Sequence, residues 1–371
     1  MPFAKAAAML ERFTQVSVSK ATAQRHTEAI GMAYEAVQCA EVETIERDWP
    51  EVEAGPEKLL LSADGAMVPL LHGEWAEVKT LVVGEVAAPT EHKGEPVVTT
   101  HTLSYFSRMT DADSFQRLTL AELYRRRVET AAHVAAVNDG AEWIQGFLDF
   151  HCPDVTRILD FPHAAQRICQ IGEAVLGAEH ASLRAWQTRQ LHQLKHHGPQ
   201  GVLDSLRTVA AAHQTVPLIA ENLTYLEKRQ AHMQYPSFQA QGWPIGSGVV
   251  ESANKLVVEA RLKGAGMHWC RASVNPLLAL RNAVCNDRWA EAWQQSAAHI
   301  RRTGIKRRPV QAKSQAQPAS STPQRAPAPV AAGAPPADGA ARRKPAAEHP
   351  WRRKNRATKA ELAAGGGHAI V

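Results

Sequence analysis

Four acidic residues stand where the chain changes direction. Asp64 lies in LLLSADGAMVPL, Asp139 in Asn138-Asp139-Gly140, Asp160 in ILDFPH and Glu251 in GSGVVESANK. Carboxylates gathered in one place repel one another unless cations sit between them. Mg²⁺ takes oxygen ligands and keeps several waters, so two or three carboxylates suffice to hold it. Two such ions ~4 Å apart can activate an attacking oxygen and stabilise a leaving oxygen in an in-line phosphoryl displacement. Asp64, Asp139 and Glu251 are the expected ligands of Mg²⁺ or Mn²⁺, as two ions, with Asp160 the alternative second ligand. Each acid also has an ordinary reading. Asp-Gly turns are common, and an acid in a first helical turn complements the helix dipole. His163 follows Asp160 in D-F-P-H and also reads as a helix-start histidine packed against a sheet.

The elements that would position these acids can be read from periodicity. In WPIGSGVVESANKLVVEARLKGAGMHW, residues 243–269, Val249, Val250, Ala253, Leu256, Val257 and Ala260 recur at helical spacing. Glu251 falls in the first turn, Asn254, Lys255 and Arg261 on the more polar side, and Gly264 and Gly266 end the helix. Upstream, LLLSADGAMVPL, AEVKTLVVGEVAA and VVTTHTLSYFSRM read as three strands separated by short breaks. DADSFQRLTLAELYRRRVET reads as a helix, with Asp111 or Asp113 at its start. A buried strand ending at Asn138-Asp139-Gly140 leads into a helix, and a fifth strand ends at Asp160 before another. Three antiparallel strands followed by two helical crossovers onto parallel neighbours give a mixed five-stranded sheet with helices on both faces. That element order, β-β-β-α-β-α-β-α, is that of an α/β ribonuclease H-like fold, with the Glu251 helix as its last element. In an open α/β sheet, ligands sit beyond the carboxyl ends of the strands, where the acids fall.

Five segments are expected. Residues 1–50 are helical, with a helix-turn-helix in which Ser17 or Ser19 caps the second helix and Lys20 and Arg25 face DNA. Residues 58–163 and 242–300 are the two parts of the catalytic domain, and 164–241 is a helical insertion between them. Residues 304–371, rich in Ala, Pro, Arg and Lys, are expected to be a disordered tail. The charge is split. Residues 301–371 hold 15 Lys/Arg against three acids, so the chain's net +5 leaves residues 1–300 at −7. A basic tail suits a polyanion, most simply nucleic acid. No apolar run approaches the ~18 residues of a membrane span. The five scattered cysteines lack a C-x-x-C pair, which fits a reduced, cytoplasmic protein and argues against a zinc ribbon.

From Ala63 to Trp293 the chain resembles bacterial insertion-sequence transposases of the ISKra group, in the DDE class with ribonuclease H-like catalytic domains. The matching segments are ADGAMVPL, GEWAEVKTL, YFSRMTDADSF, NDGAEWIQGF, RILDFPHAAQRI, QLHQLKHHGP, QYPSFQAQGWPIGSGVVESANKLVVEARLKGAGMHW and NPLLALRNAVCNDRW. Asp160-x-x-His163 also resembles the Cys/Asp-x-x-His motif after the second catalytic Asp of Mutator-like and related transposases, which favours Asp139 as the second ligand. The resemblance implies metal-dependent DNA cleavage at insertion-sequence ends and strand transfer into target DNA. The partners it implies are transposon inverted repeats, target DNA and further copies of the chain, as a homodimer or higher oligomer. Members of the group usually have a longer N-terminal region. Trp243, Lys255, Arg261 and Lys263 around the Glu251 helix are expected DNA contacts, with Trp243 stacking on an unpaired base. The alternatives are a transposase-derived DNA-binding protein without catalysis and a cellular nuclease of the same fold.

Overall fold

The computed structural model describes residues 2–92 and 95–304. The basic segment expected to be disordered lies outside the described residues from 305 onward. Strands β1 (Lys58–Pro69) and β2 (Trp75–Val86) are long. A small hairpin of β3 (Thr90–His92) and β4 (Glu95–Val97) leads to β5 (Thr100–Arg108), and β6 (His133–Asn138) and β7 (Thr156–Leu159) follow. Five of them form one sheet in the order β5-β2-β1-β6-β7. The β1–β2 and β2–β5 pairs are antiparallel, and the β1–β6 and β6–β7 pairs are parallel. The chain is therefore mixed α/β with a mixed five-stranded sheet, as the element order implies. The β3–β4 hairpin is an addition to that reading.

The helices are α1 (Phe3–Thr14), α2 (Lys20–Asp48), α3 (Ala112–Leu118), α4 (Leu120–Arg125), α5 (Glu142–His151), α6 (Phe161–Leu176), α7 (Leu183–His197), α8 (Gln200–Ala212), α9 (Pro217–Glu227) and α10 (Tyr235–Ala240). They are followed by α11 (Gly248–Ala253), α12 (Ala260–Leu262), α13 (Arg271–Cys285) and α14 (Trp289–Thr303). The helix expected after β5 is two, because Thr119 interrupts it and turns its hydroxyl onto the Gln116 carbonyl at 2.8 Å.

Strand alternation assigns the two sheet faces. Leu59, Leu61 and Ala63 of β1 join Leu81 and Val83 of β2 in one core, closed by Val42 of α2, Phe115 of α3, Leu123 of α4 and Phe147 of α5. The intervening β1 residues face the opposite side, where two cores meet. Leu60, with Ala135, Val137 and Ile158, packs under α6 and the helical segment α7–α10. Ala66 and Val68, with Val78 and Val82, pack under the Glu251 helix and α13. Asp64 shares this face and falls at the seam between the two cores.

The first two helices are broken at residues 15–19, and Ser19 caps α2 by accepting from the Thr22 amide at 3.0 Å. With 29 residues, α2 runs well past the length expected of a recognition helix. It lies along α13 and α14. A Cβ on Gly31 would stand 2.3 Å from the Pro276 carbonyl oxygen, so the two backbones touch there.

Candidate active site

The sheet opens where the acids are. The β1–β6 ladder ends at Leu61 and Ala136. Beyond it, side chains take over. The Ser62 hydroxyl donates to the Val137 carbonyl at 2.6 Å, and the Ala63 amide donates to Asn138 Oδ1 at 2.6 Å. These buried bonds hold the end of β6 beside the middle of β1 while the strands part. Asp64 and Asp139 stand on either side of that opening, Asp64 on β1 and Asp139 one residue past β6.

Asp64 is half-buried. One of its oxygens accepts from the Gly65 amide at 2.7 Å and the other from Asn254 Nδ2 at 2.8 Å. Burial pushes its carboxyl above the usual range, and the neighbouring Asp139 adds to this against the Gly65 hydrogen bond. Asp139 forms a tight turn, with Oδ1 accepting from the Ala141 amide at 2.9 Å. Gly140 follows at φ +79°, a conformation that favours glycine. The helical segment braces this turn. Tyr225 of α9 donates its hydroxyl to the Asp139 carbonyl, and Arg229 Nη2 donates to the Gly140 carbonyl at 2.6 Å. The Arg229 guanidinium lies 3.9 Å from the Tyr225 ring centre.

Asp160 is fully buried and caps α6. It accepts from the His163 amide at 3.2 Å, from His163 Nδ1 at 2.6 Å and from the Ser247 amide at 2.6 Å. Burial alone would raise its pKa, but the hydrogen bonds from His163 and Ser247 outweigh it and the net shift is downward. His163 is raised, chiefly by its hydrogen bond to Asp160 against the opposing effect of burial, with Asp139 and Asp64 adding their fields. Asp160 thus joins the start of α6 to the turn that opens the Glu251 helix, and both its oxygens are engaged.

Glu251 lies in the first turn of α11 and is exposed. Its carboxylate makes no hydrogen bond or ion pair among the described residues. Asn254, one turn later, bonds Asp64 and links this helix to β1. Between α11 and α12 the helix loosens into a π turn, Asn254–Glu259. Arg281 of α13 donates to the carbonyls of Leu256 and Val257 in that turn. The π turn rotates the buried face. Val250, Ala253, Asn254, Val257, Val258 and Leu262 are buried, whereas Leu256 is 45% exposed and Ala260 is exposed. The stripe expected from the sequence therefore holds at Val250, Ala253 and Val257 and fails at Leu256 and Ala260.

Asp64, Asp139, Asp160 and His163 share one electrostatic neighbourhood, in which Glu251 does not figure. Among the described residues, no group of three or more His, Cys, Asp or Glu side chains is arranged to hold a metal ion. The donors nearest the opening are all oxygens. Asn254 Oδ1 is buried without a hydrogen-bond partner beside Asp64. An unpaired buried amide oxygen and a carboxyl raised by burial, with a like charge adding to it, are both features that a hard cation would relieve.

Of the expected DNA contacts, Lys20, Arg25, Lys255 and Lys263 are exposed, and Lys263 pairs with Glu259 at 2.8 Å. Arg261 is half-buried between Phe3 and Trp269. Trp243 requires a correction. It is only 4% exposed and sits in the core with Leu60, Ala135 and Phe238, so its ring is not available to stack on a base. Lys58, on the first residue of β1, covers it at 5.0 Å. Sequence reasoning missed Tyr225 of α9 and Arg229, which lies just past the end of that helix. It also missed that Asn254 bonds Asp64.

No protein-family profile matches the chain, and no curated protein matches it. Among solved structures it is similar to the Drosophila P element transposase strand transfer complex. The identity is 11%, over 68% of this chain and 69% of that chain, with a TM-score of 0.21. No helix among the described residues is long and apolar enough to cross a membrane.

Proposed function

We propose that the chain is a DDE-class transposase of the ISKra group, with a ribonuclease H-like catalytic domain. It would cleave DNA at insertion-sequence ends and join the freed strand to target DNA, working as a homodimer or higher oligomer. The observation that carries this reading is the placement of Asp64 on β1 and Asp139 just past the end of its parallel neighbour β6, where the strands part, with Asn254 of the Glu251 helix bonded to Asp64. Asp64, Asp139 and Glu251 would hold Mg²⁺ or Mn²⁺. When bound, such ions activate the attacking oxygen and stabilise the leaving oxygen of a phosphodiester. The protein's own part is positional. Asn254 orients Asp64, Tyr225 and Arg229 fix the Asp139 turn, and Asp160 with His163 braces the sheet against the entry to the Glu251 helix.

One observation favours a second reading, a transposase-derived DNA-binding protein without catalysis: among the described residues no group of three or more His, Cys, Asp or Glu side chains is arranged to hold a metal ion. A single assay separates the two. A labelled duplex carrying the inverted repeats that flank the coding region is incubated with the protein and Mg²⁺ or Mn²⁺. Cleavage is expected, and Asp64→Ala, Asp139→Ala and Glu251→Ala should each abolish it while DNA binding persists, because binding rests on basic residues elsewhere. Absence of cleavage by the unaltered chain with binding intact supports the second reading, and loss of binding in step with cleavage refutes the ligand assignment.

A further inference from the structure

A second polar site lies at the far end of the Glu251 helix. A cavity of about 370 Å³ opens between the first two helices and the segment after α12, lined by Phe3, Lys20, Gln24, Arg261, Trp269 and Ser273 among others. That volume is at the small end of the ~300–1,000 Å³ range of ligand pockets. No Asp or Glu lines it. The Arg261 guanidinium is 4.7 Å from the Phe3 ring centre and 4.8 Å from that of Trp269. The two rings meet edge to face at 6.4 Å. Trp269 is itself anchored, its indole N–H donating to the Leu262 carbonyl at 2.9 Å and its backbone bonded to Pro69 and Leu71. Arg261 is therefore held in place, half-buried, with no ion pair or hydrogen bond among the described residues. Lys20, exposed at the rim, likewise has none.

A half-buried cation without a counter-ion is costly unless a ligand supplies one. Burial, with repulsion from Arg281, pushes the Arg261 pKa down, as expected for a guanidinium lacking its anion. The planar fork of arginine matches phosphate oxygens, and the neighbouring lysine adds a point charge. We infer that this cavity binds a backbone phosphate of a nucleic-acid strand, with Arg261 and Lys20 as its cations and Ser273 as a neutral hydrogen-bonding group. The choice of a strand rests on the DNA reading above. Arg261 lies seven residues beyond Asn254, roughly 10 Å along the helix. That is about three phosphates of one strand at ~3.4 Å of rise each. A strand whose reacting phosphate lay at Asp64 would present a later one to this cavity.

Cys270 lines the same cavity and is exposed, so it reports occupancy. The full chain is alkylated with iodoacetamide, with and without a saturating 30-base-pair duplex, and modification is mapped by mass spectrometry. The half-buried cysteines Cys39, Cys152, Cys169 and Cys285 serve as controls for unfolding. Protection of Cys270 by at least fivefold is expected. Lys20→Gln and Arg261→Gln should each reduce it, and each should lower the log–log salt slope of DNA binding by about 0.9. Lys20 is exposed and unpaired, so its variant keeps the test valid if Arg261→Gln disturbs packing. Unchanged alkylation of Cys270 in DNA-bound protein overturns the inference. Protection by inorganic phosphate or a mononucleotide, but not by duplex, overturns the strand as ligand. Protection in a chain that never cleaves removes the catalytic reading and leaves the cavity; cleavage with Cys270 unprotected does the reverse.

Discussion

Replacing Asp160 by Ala separates a structural brace from a metal ligand. Three donors converge on this fully buried carboxylate, from the amide and ring of His163 and from the Ser247 amide. Loss of the cap on α6 costs ~1 kcal/mol. Leaving the Ser247 amide orphaned in a buried site costs a further ~1–3 kcal/mol. The His163 ring is 41% exposed, so water recovers much of its bond and little is added for it. The expected loss is about 3 kcal/mol. With a urea slope of ~3 kcal/mol per molar, the unfolding midpoint at pH 7 should fall by about 1 M. Urea denaturation followed by circular dichroism measures this directly. Asp160→Asn should fall between Ala and the unaltered chain, because its amide oxygen can serve only one side of the group. The reasoning is refuted if Asp160→Ala keeps its midpoint yet loses Mg²⁺-dependent cleavage. That result would move the second ligand role from Asp139 to Asp160.

The same pair sets a pH dependence. His163 is raised in the folded state, so its stabilisation is complete below the unfolded value near 6.5 and is lost as pH climbs through the raised folded value. Asp160 is depressed, so its share is present above the unfolded value near 3.8 and is lost as pH falls through the lowered one. Urea midpoints across pH should decline on both sides, and His163→Ala should flatten the alkaline limb; an unchanged limb would detach His163 from it. Trp243→Ala should cost ~3–5 kcal/mol as a large-to-small core change, and a stable variant defective only in cleavage would return the ring to DNA. Removing residues 305–371 should leave the unfolding midpoint unchanged and reduce the salt dependence of DNA binding, and an unaltered slope would make the tail a spectator.

Much of the architecture was legible because strands and helices announce themselves by period. LLLSADGAMVPL read as a strand bearing Asp64, and the Asn-Asp-Gly and Asp-Phe-Pro-His steps marked strand ends. The Glu251 helix was legible in part, at Val250, Ala253 and Val257. Its wider turn moved burial from Leu256 and Ala260 to Val258 and Leu262, and a fixed 3.6-residue period does not register such a change. The role of Trp243 was hidden for another reason. The Gly-Ser-Gly turn beside it suggested an open hinge, but the ring fills a space bounded by Leu60 and Phe238, and that space exists only once the insertion has docked. Tyr225 and Arg229 reach the Asp139 turn across 86 and 89 residues of chain, a distance over which local pattern carries no information.

The touch of Gly31 on Pro276 has a mechanical consequence. A 29-residue rod notched once near its middle behaves as a beam clamped at that point. The first turns of α2 carry Lys20 about 11 residues from the clamp, a lever arm of roughly 17 Å. Whatever Lys20 grips is therefore pulled against α13, whose Arg281 holds the loosened turn of the Glu251 helix. Any side chain at position 31 would meet the Pro276 backbone and pry the clamp open, lifting the beam from α13.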